Sequence, residues 1–136
     1  MSLFKVFNVS GSAVSAQSQR LNVVASNLAN AESVAGPDGQ PYKARQVLFQ
    51  TQMMGADASS AGVRVAAVVE DSAAPRRIHD PSHPLADEQG YVTMTNVNPV
   101  EEMVNMISAS RSYQTNIDVM NTAKNLLLKT LQLGQS

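Results

Sequence analysis

Asn98-Pro99-Val100-Glu101 opens, and Leu126-Leu127-Leu128-Lys129-Thr130-Leu131-Gln132-Leu133 closes, the stretch that decides the fold. Asn98 is a helix-capping residue, Pro99 fits the first helical position and Glu101 stands three residues after the cap. No further Pro or Gly interrupts before Gly134, which is a stop signal. Met106, Tyr113, Met120 and Leu127 recur every seventh residue, with Met103, Ala109, Ile117, Ala123 and Leu131 beside them. This is one apolar stripe on a helix of ~35 residues, about 50 Å long. At ~100° per residue Leu126 and Leu128 point ~160° apart, and Leu133 falls on a different side from Leu131. One partner helix does not cover such a surface.

Working outward, Ser2 to about Ala31 carries the matching pattern. Phe7, Val14, Leu21 and Leu28 recur at seven, with Leu3, Val24 and Ala31 between them and the polar Ser10 and Gln17 on the same seam. A heptad stripe at each end of a chain is the layout of two helices side by side, as in a coiled coil. The polar seam positions predict weak stability alone and a better fit in an assembly, because helices are held mostly by packing. A plain two-helix monomer is the alternative, and the C-terminal leucines count against it.

Between the helices the composition changes. Gly36-Pro37-Asp38-Gly39-Gln40-Pro41 is a dense turn signal that ends the first helix. Tyr42 to Gln52 reads as a strand with Val47 and Phe49 on one face, Gly55 to Gly62 as a flexible small-residue connection, and Val63, Val65, Ala67 and Val69 as a half-buried strand. Arg76 to His79 and Tyr91 to Met94 read as short strands separated by turns at Pro81-Ser82-His83-Pro84 and Asp87-Glu88-Gln89-Gly90. The expected class is α+β: an N-terminal helix in residues 1–33, a small β-rich region in 34–97 and a C-terminal helix in 98–136. The central region has little core of its own.

Composition narrows the function. Of 136 residues 15% are charged, the net charge is −1 and there is no Lys/Arg cluster, which argues against nucleic acid or an anionic membrane as partner. A weakly charged, amide-rich surface also lets copies of one subunit stack without repulsion. With no cysteine there is no disulfide, zinc-thiolate site or thiol nucleophile. No run of ~18 apolar residues spans a bilayer, and Asn8, Ser10, Gly11 and Ser12 break any secretory signal core.

Chemistry is hard to place. His79 and His83 flank Pro-rich turns with Asp80 and Asp87 nearby, and turn formation accounts for them better than a metal site, which needs three or four held ligands. Glu101-Glu102 suits the positive end of the helix dipole better than acid–base work. No nucleophile turn, phosphate loop or dinucleotide fingerprint is present, so the expectation is no catalytic site, metal or cofactor.

Leu21-Asn22-Val23-Val24-Ala25-Ser26-Asn27-Leu28-Ala29-Asn30-Ala31 resembles the N-terminal signature of bacterial flagellar rod and hook proteins. Ser108-Ala109-Ser110-Arg111-Ser112-Tyr113-Gln114-Thr115-Asn116-Ile117 resembles their C-terminal signature. The middle, with Gly36 to Tyr42, Pro84-Leu85-Ala86-Asp87, Gly90-Tyr91-Val92 and Asn96-Val97-Asn98, resembles the proximal-rod branch of that family, and the short length agrees. The resemblance implies a structural subunit whose terminal helices form the inner layer of a tubular drive shaft, with the β region outside. It implies export through the flagellar type III apparatus without a cleaved signal. It also implies a place in the periplasmic rod among further copies, proximal and distal rod subunits, the rod–membrane-ring adaptor and, during growth, the rod cap.

On that reading Phe7, Val14, Leu21, Val24, Leu28, Met106, Tyr113, Ile117, Met120 and Leu127 pair the helices. Asn27, Asn30, Leu126, Leu128, Leu131 and Leu133 are the expected subunit contacts, the two asparagines, three apart on one helical face, through amide hydrogen bonds across subunits, with a solvated polar face as the equal alternative for them. The rivals are another rod position or an adaptor of the same family, a wall-cleaving hydrolase, which lacks an acidic pair, and a secreted coiled-coil effector, which has no reason to carry both signatures.

Overall fold

The computed structural model describes residues 2–134. In chain order it has helix α1 (Leu3–Ala29), strand β1 (Arg45–Met53), a 3-10 turn (Ala58–Ser60), strands β2 (Ala61–Glu70), β3 (Arg77–His79) and β4 (Tyr91–Thr93), and helix α2 (Pro99–Gly134). This is the expected α+β layout, two terminal helices with a small antiparallel region between them.

Both helix starts are set by side-chain caps. Ser2 Oγ accepts from the Lys5 amide at 3.2 Å. Asn98 Oδ1 accepts from Val100 at 3.1 Å and Glu101 at 3.4 Å, satisfying amides that have no partner in the first turn. Glu101 and Glu102 lie in that turn, where a carboxylate complements the dipole.

The helices run antiparallel. Glu102 meets Asn27, the Met120 methyl lies over Gly11, and Leu126 shares a groove with Leu3 and Val6. This register puts Leu127 level with the start of α1. From Leu128 to Leu133, α2 continues past Leu3 by roughly 9 Å. On α2, Ala109 and Ala123 are buried and Met106, Tyr113, Ile117, Met120 and Leu127 half-buried. On α1, Ser10, Ala16 and Val24 are buried, and Val14, Leu21 and Leu28 half-buried.

Three residues of the expected stripe depart from it. Met103 is exposed because it stands about 120° round the helix from Ala109. Leu131 is on the covered side but lies beyond the start of α1, and is 63% exposed. Phe7 is also exposed, nine residues and so half a revolution from Ala16.

β1 and β2 form a hairpin laid along α1, in register from Arg45↔Glu70 to Met53↔Ala61. The pairing shifts between Leu48↔Ala67 and Phe49↔Val65, leaving Ala66 as an extra residue on β2. Val63 and Val65 are therefore half-buried while Ala67 and Val69 are exposed, and the regular alternation stops at the bulge. Ser12 docks the hairpin: its Oγ accepts from the Val63 amide at 3.1 Å and donates to Val9 O at 2.6 Å. A β-carbon at Gly62 would stand 2.7 Å from that Oγ, so the close approach needs glycine. The connection contains a hydrogen-bonded turn, in which Asp57 accepts from the Ser59 and Ser60 amides and Met54 donates to Ser60 O.

The remaining strands bracket a turn-rich loop. β3 and β4 pair over Arg77↔Thr93 to His79↔Tyr91, and Val34 bridges Met94. The compact core lies where these segments meet the end of α1, with Ala31, Ala44 and Val97 buried together and Tyr42 against them. Tyr42 precedes β1 rather than belonging to it.

Two amides hold this junction. Asn96 Oδ1 accepts from the Ala44 amide at 2.7 Å, and its Nδ2 donates to Asp71 O and Ala73 O at 3.1 and 2.9 Å. Asn27 is fully buried. Its Nδ2 donates to Arg45 O at 2.8 Å and Glu102 Oε2 at 3.0 Å, while its Oδ1 accepts from the Tyr42 hydroxyl at 2.8 Å and the Arg45 amide at 3.0 Å. That uses the full capacity of a carboxamide.

Of the two asparagines expected to bond across subunits, Asn27 has no donor or acceptor left over. Asn27 is spent inside the chain, and Asn30 Nδ2 donates to Ser26 O at 2.9 Å, closing its own helix.

Candidate assembly interface

A subunit of a helical assembly needs apolar surface that its own fold leaves uncovered, and α2 has two such regions. Val100, Met103, Val104 and Ile107 follow the i, i+3, i+4, i+7 spacing of one helical face. That face points away from the stripe containing Ala109, and Val100 and Ile107 are 69% and 59% exposed. Single exposed apolar residues are ordinary, but four on one face form a contiguous patch.

The second region is the C-terminal end, where Leu126, Leu128, Leu131 and Leu133 are all exposed. Leu126 closes an apolar groove of about 300 Å³ with Leu3, Val6, Val119 and Ala123. Phe4, on the first turn of α1, is exposed at the same end. The chain thus presents apolar surface at both ends of α2. Such a layout suits heterologous, head-to-tail contacts rather than one self-complementary patch.

The titratable cluster around β3 and β4 has a structural role. Asp87 Oδ1 accepts from the Tyr91 and Gln89 amides, each at 2.9 Å, and Oδ2 pairs with Arg77 at 2.6 Å. These contacts, the Tyr91 amide foremost, hold the Asp87 carboxyl below its ordinary range. Arg77 lies over the Tyr91 ring and His79 meets that ring edge-on, both at 4.9 Å. His83 Nδ1 accepts from the Leu85 amide at 3.0 Å, which is turn chemistry. Among the described residues no group of three or more His, Cys, Asp or Glu is placed to hold a metal ion, and no helix is long and apolar enough to cross a membrane.

Helices α1 and α2 lie alongside one another, and the residues expected to pair them are buried or half-buried apart from Phe7. The leucines expected at subunit contacts are on the surface, Asn27 is bonded inside the chain, and Asn30 Nδ2 donates within its own helix. The outward stripe from Val100 to Ile107 was missed although its spacing is visible in the sequence. The partners of Asn27 leave no local signal.

Comparison with known proteins places these features. The family described as "Flagella basal body rod protein" matches residues 7–37, and "Flagellar basal body rod FlgEFG protein C-terminal" matches residues 88–133. A protein of Yersinia enterocolitica named flagellar basal-body rod protein FlgC is 59% identical over 135 residues. Proteins of the same name from Escherichia coli O6:H1 and Salmonella typhimurium are each 58% identical over 135 residues. Each alignment covers 99% of this chain and the whole of the relative.

Proposed function

The chain belongs to the FlgC family of flagellar basal-body rod proteins and is a structural subunit of the basal-body rod rather than an enzyme, and from this premise we propose how it is built in. It occupies the proximal rod, with the helical unit of residues 2–33 and 98–134 in the inner layer and residues 34–97 outside. The ends of the expected helical unit, residues 1 and 135–136, lie outside the described residues. Helices α1 and α2 wind as a coiled coil along the apolar stripe of α2, with Val14, Leu21, Val24 and Leu28 opposite. The outward stripe of α2 and its C-terminal leucines are covered by neighbouring rod subunits.

The observation that carries this reading is the overhang of α2 together with the bare stripe opposite its α1-facing side. An isolated two-helix protein gains nothing from either. Neighbours packed around α2 bury both, with apolar burial stabilising the contact by about 25 cal/mol per Å². The neighbours are other rod proteins, further copies of this chain and the adaptor to the membrane ring. The rod cap acts during growth, and the chain reaches the periplasm through the flagellar export apparatus with its N-terminus uncleaved.

Expression in a flagellated strain lacking its own such subunit tests the reading. The expected result is restored swimming, with the chain in purified hook–basal bodies and its N-terminal peptide intact. Secretion of the chain without rods, or rods of normal composition that exclude it, contradicts the placement.

A further inference from the structure

Arg20 on α1 and Arg45 at the start of β1 line one cleft of about 300 Å³, walled by Val23, Val47 and Asn105 of α2. In a chain with 15% charged residues this is a local concentration of positive charge. Neither guanidinium is neutralised: among the described residues the single ion pair within 4.0 Å is Arg77–Asp87. Arg20 reaches only the Gln17 amide oxygen, at 3.4 Å. Glu102, one turn before Asn105, lies nearby on α2 with its Oε2 accepting from Asn27, and its charge offsets one of the two arginines, leaving the cleft net positive.

The cleft is also preorganised. The Arg45 guanidinium sits 5.7 Å from the Tyr42 ring centroid, and Tyr42 is itself held by its hydroxyl bond to Asn27. Both Arg45 backbone groups are fixed on Asn27. An arginine restrained over an aromatic ring keeps its planar fork available and loses little freedom on binding. Planar donors of this kind match a carboxylate.

We propose that this cleft seats an acidic side chain of a neighbouring rod subunit, fixing its axial position where the apolar patches supply adhesion without register. The inference rests on the reading of the chain as a rod subunit, which is what brings a second polypeptide to this surface. The partner is defined by chemistry: an Asp or Glu carboxylate projecting from a neighbour, entering between α1, β1 and α2.

The test uses assembled rods. A chain carrying R20K and R45K is built into basal bodies, which are purified and treated with a water-soluble carbodiimide that joins amines to carboxylates at zero length. Mass spectrometry is expected to find position 20 or 45 linked to an Asp or Glu of another subunit, a second copy or a different rod protein. Normally assembled rods with no intersubunit link at either position overturn the proposal. Failure of R20K/R45K alone to assemble, with circular dichroism of the free chain unchanged, supports it, since an ammonium lacks the guanidinium fork. R20E/R45E is expected to lower incorporation at least about tenfold while secretion persists, and normal incorporation of that variant is a second contradiction. Absence of the unmodified chain from basal bodies defeats the rod placement itself and is distinguishable from either result.

Discussion

Asn27 Nδ2 donates to Glu102 Oε2 at 3.0 Å, joining the end of α1 to the first turn of α2 across 75 residues of sequence. The same carboxamide holds Arg45 and Tyr42, so one buried side chain ties both helices to the start of the hairpin. The Arg20–Arg45 cleft lies beside that point, between α1, β1 and α2.

Asn27→Ala leaves the buried Glu102 carboxylate and two Arg45 backbone groups without their partner. The expected loss is about 3 kcal/mol in urea unfolding of the free chain. A cycle with Glu102→Gln isolates the pair. A change below about 0.5 kcal/mol, the range of ordinary surface substitutions, contradicts the role given to Asn27.

Asp87 makes the β3–β4 loop acid-sensitive. Its carboxyl titrates below the ordinary 3.8 in the folded chain because the Tyr91 and Gln89 amides and Arg77 favour the charged form. The stabilisation is therefore complete above the unfolded value and is lost as pH falls through the folded one. Carboxyl NMR is expected to show a depressed midpoint that moves up in Arg77→Ala. A midpoint at the ordinary value removes the basis for this sensitivity.

Ile107→Asp and Ala109→Leu separate the two sides of α2. Ile107 is solvent-facing, so Ile107→Asp changes free-chain stability by no more than about 0.5 kcal/mol yet blocks entry into the rod. Ala109 is fully buried, so Ala109→Leu overpacks the helix pair and costs about 1–3 kcal/mol before assembly begins. Urea unfolding of the free chains and quantitation in basal bodies give both readings. Normal rods with Ile107→Asp refute the outward stripe as a contact.

Leu128→Asp tests the overhang separately. The chain stays soluble and is secreted, but it does not enter the rod, because Leu128 lies past the start of α1 and acts on a neighbour. Swimming cells with normal filaments, carrying only this variant, contradict the assignment.

The elements were legible wherever local chemistry sets them: Asn98-Pro99 starting α2, the glycine–proline run after α1, the alternating valines of β2. The bulge at Ala66 was not, because it depends on how the hairpin seats against α1 at Ser12. Asn27 and Asn30 look equivalent in sequence. Only the return of the chain at Tyr42, Arg45 and Glu102 makes one a buried tie and the other a local cap. The stripe from Val100 to Ile107 has plain helical spacing, but the seven-residue repeat through Met106 draws Met103 to the wrong face. Leucines past the end of a partner helix require knowing the register, which the contacts of Asn27 with Glu102 and of Gly11 with Met120 reveal.

Methionine oxidation in purified hook–basal bodies, compared with the free chain, tests the central claim that neighbouring subunits cover the outward face of α2. Met103 on that face and Met53 at the end of β1 are both exposed in the free chain and oxidise readily there. The account predicts that Met103 is protected in rods while Met53, in the outer region, stays reactive. Equal oxidation of Met103 in rods and in free chain would contradict it.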